Sequence, residues 1–339
     1  MQKGAELLEV SELPDHNGGV VRRSEAGLRY GFSPGSRAGQ GPAAEHDVWL
    51  LLGPRLDQAV ETAELTHHFD IHLPGRWRMA HTDGLLPAIV DGEPLLYDTD
   101  GRPQQAPRVV YARLSTPGLH TDREITLLRH LADMGAEVVN PVEGVLAAVN
   151  KFWHLQQFAA AGLPVPDTVT YSTAGLGALV ALAPESEPCV VKSVRGNRGN
   201  GVFLAPSRAL LSGVAGSLDT RVPFVLQDYI ASSHGRDLRV FVVDGEPVDA
   251  FARTSSDGSF TSNIHQGGRA APCRGAHPEA ERLAVRAAEA TGLVVAGVDL
   301  LFTEDSYVLC EINNNAAWLD GTPVVPDAIA RCIACRTGN

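Results

Sequence analysis

In the first half of the chain, short apolar runs alternate with segments of helical spacing. The runs predict four buried strands, at residues 48–52, 69–73, 109–114 and 137–140. Helical spacing is clearest at residues 121–134, where Ile125, Leu128 and Leu131 lie on one face, and a shorter helical stretch precedes residue 69. Strands that alternate with helices predict a parallel, Rossmann-like sheet. No G-x-G-x-x-G turn accompanies these strands, so we do not expect a dinucleotide site there.

Paired runs of strand-forming residues dominate the second half of the chain. A helix is predicted to begin at Lys151 and to end before Gly162, and another spans residues 278–291. Buried strands are predicted at residues 189–192 and 223–229. Two hairpins are predicted here, with turns at residues 244–245 and 304–306, and a further one in the first half of the chain, with its turn at residues 91–94.

The bulk composition limits the function classes. The chain has 339 residues, 44% of them hydrophobic and 20% charged, which is typical of globular proteins with two or three domains. Its net charge of -12 disfavours nucleic acid as a partner. No apolar run approaches the roughly 20 residues that span a bilayer, and no signal peptide is evident. With five cysteines, an odd number, the simplest expectation is a reduced, cytoplasmic protein with no membrane partner.

Lysine is rare in this chain. Only Lys3, Lys151 and Lys192 occur, against 25 arginines. Nucleotide bias of the genome is one explanation for the ratio. The other is that the two internal lysines are retained because the wide arginine fork does not replace a compact ammonium group.

The hairpin of residues 294–313 carries three candidate metal ligands. If Thr303 pairs with Tyr307, Asp299 lies opposite Glu311, and Asn313 points to the same face because side chains alternate. Like charges directly opposite each other are destabilising, so this arrangement requires a cation between them. Carboxylate and amide oxygens suit Mg²⁺ or Mn²⁺. The alternative is an acidic hairpin with both carboxylates solvated.

A glycine-rich loop follows the strand at residues 189–192. Residues 192–201 contain three glycines and three cations and no acid. Glycines allow backbone N–H groups to approach an anion closely, which favours a flap over nucleotide phosphates. The alternative is an ordinary hairpin turn. The loop members are Lys192, Arg195, Gly196, Arg198, Gly199 and Gly201.

The order of these features resembles the ATP-grasp enzymes, and more narrowly the RimK-type ligases, which join an amino acid to a carboxylate. The resemblance covers roughly residues 105–315 and rests on Lys151, Lys192 with its loop, Gln227 to Ile230, Gly235 to Arg239, Ser262 with Asn263, Asp299, and Glu311 to Asn313. It implies an α/β chain in which two α+β lobes clasp ATP behind a Rossmann-like N-terminal domain. The implied divisions are a leader at 1–46, the Rossmann-like domain at 47–145, a small lobe at 146–222 and a large lobe at 223–339.

The resemblance assigns roles in a nucleotide site. Lys151 and Lys192 would hold the ATP phosphates from two sides, with the glycine loop closing over them. The segment of Gln227, Asp228, Tyr229 and Ile230 would read the adenine edge, and Asp237 would accept from the ribose hydroxyls.

The resemblance also assigns the reacting groups. Asp299, Glu311 and Asn313 would hold two Mg²⁺ ions, and Arg239, Arg253 and Asn263 would contact the transferred phosphoryl group. Other interpretations stay open, because Asp237 and Arg239 can form an exposed same-face pair on a strand, and Arg253 and Asn263 can serve loop packing.

The resemblance implies an ATP-dependent carboxylate–amine ligase that forms an acyl phosphate and releases ADP and phosphate. Two departures point to a specialised ligase that acts on a peptide, a carrier-bound acyl group or a small metabolite. No Pro-Gly turn follows Asn313, and Thr254 stands where a second arginine often follows Arg253. A homo-oligomer is expected. The rivals are an ATP-grasp phosphotransferase or acid–thiol ligase, and a nucleotide-binding module without catalysis.

Overall fold

The structure is a computed structural model. It describes residues 46–338 with gaps at 55, 57–58, 115–121, 183–186, 197–200, 215–222 and 263–266. Nearly all of the predicted leader lies outside the described residues. Residues 44–339 form one compact unit, and the domain boundaries predicted within it stay predictions.

The first sheet is parallel, as the alternating pattern predicts. It has the order β2-β1-β6-β7, formed by strands Val48–Leu52 (β1), Trp77–His81 (β2), Val109–Arg113 (β6) and Glu137–Val139 (β7). Helices Val60–His72 (α1), Asp122–Asp133 (α2) and Val142–Val149 (α3) connect or follow these strands. β1 and β6 are buried along their whole length, which explains their continuous apolar runs.

The predicted strand at residues 69–73 is wrong. These residues form the last turn of α1 and its C-cap. Leu65, Phe69 and Leu73 are fully buried at helical spacing, whereas Ile71 is 55% exposed. The alternation of Phe, Asp, Ile, His and Leu fits a strand locally, but the burial of every fourth side chain against the sheet determines a helix.

A small antiparallel sheet stands beside the parallel one. Strands Leu85–Val90 (β3), Glu93–Asp98 (β4) and Pro103–Gln104 (β5) pair in that order. Asp91 and Gly92 both have positive φ at the turn between β3 and β4, which confirms the predicted hairpin.

The second half of the chain begins with helix Lys151–Ala160 (α4), followed by a four-stranded antiparallel sheet. The order β10-β9-β11-β8 is formed by Thr168–Thr170 (β8), Cys189–Ser193 (β9), Val202–Ala205 (β10) and Phe224–Asp228 (β11). Two short helices, Leu176–Ala181 (α5) and Arg208–Val214 (α6), belong to the same part of the chain.

A five-stranded antiparallel sheet follows, in the order β14-β13-β12-β15-β16. Its strands are Arg236–Val243 (β12), Glu246–Thr254 (β13), Arg269–Pro272 (β14), Val295–Phe302 (β15) and Tyr307–Asn313 (β16). Helix Pro278–Thr291 (α7) packs on one face and ends at Gly292 in the left-handed conformation, as predicted. The last helix is Val324–Arg336 (α8).

The parallel sheet and the five-stranded sheet share one core. Side chains of β1 and β6, Phe241 and Phe251 of the larger sheet, and Ile329 and Ile333 of α8 form a single buried cluster. Asn140 fixes the junction: its side chain donates to the Val295 carbonyl at 2.7 Å and accepts from the Val294 and Val295 amides at 2.8 Å. No described helix has the length and apolarity that a membrane span requires.

Candidate active site

The predicted Asp299–Glu311 pairing is confirmed, although the predicted route to it is wrong. Phe302, not Thr303, pairs with Tyr307, and that register continues to Leu300 opposite Leu309. A bulge then shifts the register by one residue, so that Asp299 lies opposite Glu311. The bulge leaves Cys310 as the extra residue and places Asn313 opposite Gly297, on the same face as Glu311.

The cations nearest Asp299 in this structure are arginines. Arg239 donates two hydrogen bonds to the Asp299 carboxylate, at 2.7 and 2.8 Å, and Arg253 Nη2 lies 2.9 Å from Asp299 Oδ2. Arg253 also donates twice to Asp237, at 2.6 and 2.7 Å. Ser262 donates to the same Asp237 carboxylate at 2.7 Å. Two bidentate pairs on β12, β13 and β15 therefore form one buried network.

Burial makes this network electrostatically strong. The side chains of Arg253 and Asp299 are each 10% exposed. Burial by itself raises the pKa of Asp299, but Arg239 and Arg253 outweigh it and lower the pKa to about 2. Burial by itself lowers the pKa of Arg253, and Asp299 and Asp237 hold it above its ordinary value. The alternative of an exposed Asp237 and Arg239 pair is wrong, because each side chain bonds across the sheet to a different partner.

The network bears on two predicted roles. Asp237 already has an arginine fork and a hydroxyl on its carboxylate, and its ribose role stays a prediction. Arg253 bridges two carboxylates and does not serve loop packing. Asn263 lies outside the described residues.

Both internal lysines point at neutral acceptors. Lys151, the first residue of α4, donates from Nζ to the Gly196 carbonyl at 3.0 Å. Lys192 on β9 donates to Gln227 Oε1 at 2.7 Å and lies 3.4 Å from Cys310 Sγ. Within the part of the chain that the structure describes, neither ammonium group forms an ion pair with a carboxylate. Neither charge is therefore neutralised by a carboxylate of the described residues.

The remaining nucleotide-site candidates follow β9 and β11. Arg195 lies over the Trp153 ring at 5.7 Å, Gly196 accepts from Lys151, and Gly201 has a positive φ. Arg198 and Gly199 lie outside the described residues. The Gln227 amide donates to Thr168 at 2.9 Å and its oxygen accepts from Lys192.

Residues 228–230 continue from the end of β11 and are half-buried. The Asp228 amide donates to the Asp167 carbonyl at 2.9 Å, and the Tyr229 hydroxyl bonds to His234 Nδ1. Ile230 directly precedes a short 3-10 turn. This edge is where the prediction places the adenine.

Sequence reasoning missed His154, a buried histidine of α4 that the charges of both internal lysines reach. Its ring is fully buried, and neither nitrogen has a hydrogen-bond partner in the described structure. Burial, and then the charges of Lys151 and Lys192, lower its pKa to about 3. The available signal was its position three residues after Lys151 on the same helix face.

Family and sequence comparisons converge on one group of proteins. The family model of the RimK-like ATP-grasp domain matches residues 148–322. N-acetylaspartylglutamate synthase A of Mus musculus is 39% identical over 218 residues, which are 63% of this chain and 57% of that protein. Beta-citrylglutamate synthase B of Danio rerio is 34% identical over 280 residues, 80% of this chain and 68% of that protein. This chain thus spans little more than half the length of the first relative.

Solved structures share the architecture. ATP-grasp ligase PsnB in complex with a precursor peptide and AMPPNP has a TM-score of 0.63 at 18% identity, covering 88% of this chain and 100% of that one. D-cycloserine synthetase DcsG has a TM-score of 0.62 at 20% identity, covering 86% and 99%. At these identities the likeness shows the fold, and the predicted ATP-grasp architecture is confirmed.

Proposed function

Because the chain belongs to the RimK-like ATP-grasp family, we propose that it is an ATP-dependent carboxylate–amine ligase that works through an acyl phosphate. One observation carries the proposal. Lys192 of the four-stranded sheet meets Cys310, the bulge residue next to Glu311 on the five-stranded sheet, at 3.4 Å. A lysine that has no carboxylate partner among the described residues therefore lies beside Glu311, which is paired with Asp299, at the junction of the two sheets.

In this proposal ATP occupies the junction. Lys151 and Lys192 bind its phosphates, helped by backbone N–H groups of the glycine loop and by Arg195 and Arg198. The segment from Gln227 to Ile230 binds the adenine. Gln227 also orients the Lys192 ammonium through a 2.7 Å hydrogen bond.

Asp299, Glu311 and Asn313 fit a divalent cation. They supply only hard oxygen donors, which is the donor set of Mg²⁺ and Mn²⁺. Asp299 is already engaged by Arg239 and Arg253, so a bound metal would share its negative charge with these arginines. When bound, two such ions neutralise negative charge on the phosphate oxygens.

The reaction that follows has two steps. A carboxylate oxygen of the acid substrate forms a bond to the γ-phosphorus as the bond to the β-phosphate oxygen breaks, which yields ADP and an acyl phosphate. The amine nitrogen then bonds to the acyl carbon, phosphate leaves, and the nitrogen loses a proton. Arg239, Arg253 and Asn263 contact the transferred phosphoryl group and stabilise its charge.

The names of the relatives suggest the first substrates to try, which are N-acetylaspartate or citrate as the acid and glutamate as the amine. A peptide is the next acid to test, because PsnB was solved with a precursor peptide. A homo-oligomer and a cytoplasmic location stay predictions.

Hydroxylamine trapping tests the mechanism. With ATP, Mg²⁺ and an accepted acid, hydroxylamine in place of the amine should give a hydroxamate in step with ADP. Glu311→Gln should abolish both products, and Glu304→Gln, an exposed carboxylate at the hairpin turn, should abolish neither. AMP as the stoichiometric product would refute the mechanism. ADP with a stable phosphorylated product and no hydroxamate would instead establish the phosphotransferase.

A further inference from the structure

Arg113 is a buried cation that has no acidic partner among the described residues. It is the last residue of β6, at the carboxyl edge of the parallel sheet, and it is only 7% exposed. Across the described ranges, no carboxylate forms an ion pair with it. Burying an unpaired guanidinium costs several kcal/mol, so such a group indicates a missing anion.

The surroundings of Arg113 hold it in place and leave its charge uncompensated. Its guanidinium lies 4.7 Å from the centre of the Trp318 ring. Trp318 is fixed in turn, because its indole donates to Glu64 Oε2 at 2.6 Å while the Gly321 amide donates to Glu64 Oε1 at 2.7 Å. A ring face attracts a cation but supplies no anion.

An unpartnered acceptor lies in the same place. Asn315 donates from Nδ2 to the Leu114 carbonyl at 3.1 Å, and its Oδ1 is buried with no hydrogen-bond partner in the described structure. Arg113, Asn315, Trp318 and the candidate metal ligand Asn313 line one cavity of about 10 Å³. That volume admits a single oxygen atom of the size of water, so one oxygen of a substrate carboxylate can occupy it while the rest of the group lies outside.

The segment that follows Asn313 reaches this cavity because it packs closely on β15. A Cβ atom on Gly297 would lie 2.3 Å from the Ala316 Cβ, so only glycine permits the loop that follows Asn313 to approach this closely. Arg113 and Asn315 are 202 residues apart in the chain, and both lie beside Asn313 of the proposed phosphoryl-transfer site. The neutral Tyr111 hydroxyl bonds to Arg113 and leaves its charge in place.

We propose that Arg113 and Asn315 bind the second, non-reacting carboxylate of a dicarboxylic acid substrate that also carries an N–H or O–H donor. Arg113 donates to that carboxylate, and Asn315 Oδ1 accepts from the donor. Because Asn313 lines the same cavity, an acid held here can present its other carboxylate to the phosphate chain. The inference rests on the proposed function and narrows it: the acid substrate is a small dicarboxylate, not a monocarboxylate.

Binding without ATP tests the site separately from catalysis. N-acetylaspartate and citrate at millimolar concentration should raise the thermal midpoint of the parent protein. The half-amide of N-acetylaspartate, in which the non-reacting carboxyl is a neutral amide and one carboxylate remains, should give a much smaller shift. Arg113→Gln should lose the shift, and Arg102→Gln, whose side chain is 74% exposed, should keep it.

Steady-state kinetics give the second readout. Arg113→Gln should raise the KM for the dicarboxylate on the order of 10- to 100-fold, the loss expected for a charged hydrogen bond, and leave the KM values for ATP and the amine within about twofold. Arg113→Lys, which keeps the charge but not the fork, should fall between parent and Arg113→Gln.

The outcomes separate the two proposals. An unchanged KM for the acid in Arg113→Gln, or equal turnover of a matched monocarboxylate, overturns the dicarboxylate site while the ligase stands. A raised KM for the amine alone also overturns it. An Arg113-dependent thermal shift without any ADP release keeps the anion site and removes the ligase. If Arg113→Gln does not fold, Asn315→Asp decides: an added carboxylate beside Arg113 should abolish acid binding, and retained binding refutes the site.

Discussion

Asp299→Asn is expected to destabilise the metal-free protein, whereas Glu311→Gln is not. From the sequence, the opposite holds for Asp299, because removing one of two facing carboxylates relieves their repulsion. The structure reverses that expectation. Asp299 is held by Arg239 and Arg253 and its side chain is 10% exposed, while Glu311 forms no ion pair in the described part of the chain.

The size of the destabilisation by Asp299→Asn follows from the arginine charge that loses its partner. Replacing the carboxylate by an amide removes the charge that three contacts of 2.7 to 2.9 Å neutralise, and it leaves Arg239 uncompensated. Removing one partner of a buried ion pair costs about 3–5 kcal/mol. Arg253 keeps Asp237, so we expect the lower end of that range.

Urea unfolding in the presence of a metal chelator measures the difference at pH 6 and pH 8. Asp299→Asn should lower the midpoint at an unchanged slope, and Glu311→Gln should match the parent. Burial raises and the two arginines lower the pKa of Asp299, to about 2, so its stabilisation is complete above the ordinary value of 3.8 and is lost only as the pH falls toward 2. The deficit should therefore be equal at both pH values.

A double-mutant cycle identifies the cause. Arg239→Gln should lose most of its own cost when Asp299→Asn is already present, because the two residues share one interaction. Equal midpoints for Asp299→Asn and Glu311→Gln would refute the reasoning. So would a midpoint for Asp299→Asn above that of the parent, which is what relief of repulsion predicts.

Three further predictions concern the site and its support. His154→Leu should make the free energy of unfolding less sensitive to acid. Burial and the two lysines lower the pKa of His154 from 6.5 to about 3, so the parent loses up to about 1.4 kcal/mol of stability per pH unit below 6.5. Urea unfolding at pH 7.5 and 5.5 should show a smaller loss of stability in His154→Leu than in the exposed control His67→Gln. Equal losses would contradict it. Asn140→Ala should cost at least about 2 kcal/mol, because buried backbone groups of Val294 and Val295 lose their partner, and an unchanged urea midpoint would refute the junction. Lys192→Ala should weaken ATP binding about 10-fold or more with little change in thermal midpoint, and an equal dissociation constant by calorimetry would remove Lys192 from the phosphate site.

The sequence alone predicted most of the helices and strands and the family to which the chain belongs. The parallel sheet followed from the alternation of buried runs with helical spacing, and α7 from its start at Pro278 and its end at Gly292. The ATP-grasp assignment followed from the order of short motifs. Information of this kind is local, because periodicity, helix caps, turn residues and rare side chains can all be read from short stretches of sequence.

Tertiary structure decided which of those residues meet, because contacts between distant segments leave no periodic trace in the chain. The last turn of α1 is helical because Leu65 and Phe69 pack on one side of the helix against the parallel sheet. The hairpin loop pairs Phe302 with Tyr307, and without the bulge at Cys310 that register would place Asp299 opposite Cys310. The bulge shifts the register by one residue and places Asp299 opposite Glu311. Asp237 forms an ion pair with Arg253 of the neighbouring strand, and Arg113 stacks on Trp318, which lies 205 residues later in the chain. Both contacts form because a buried charge is stabilised by an opposite charge or by an aromatic ring face.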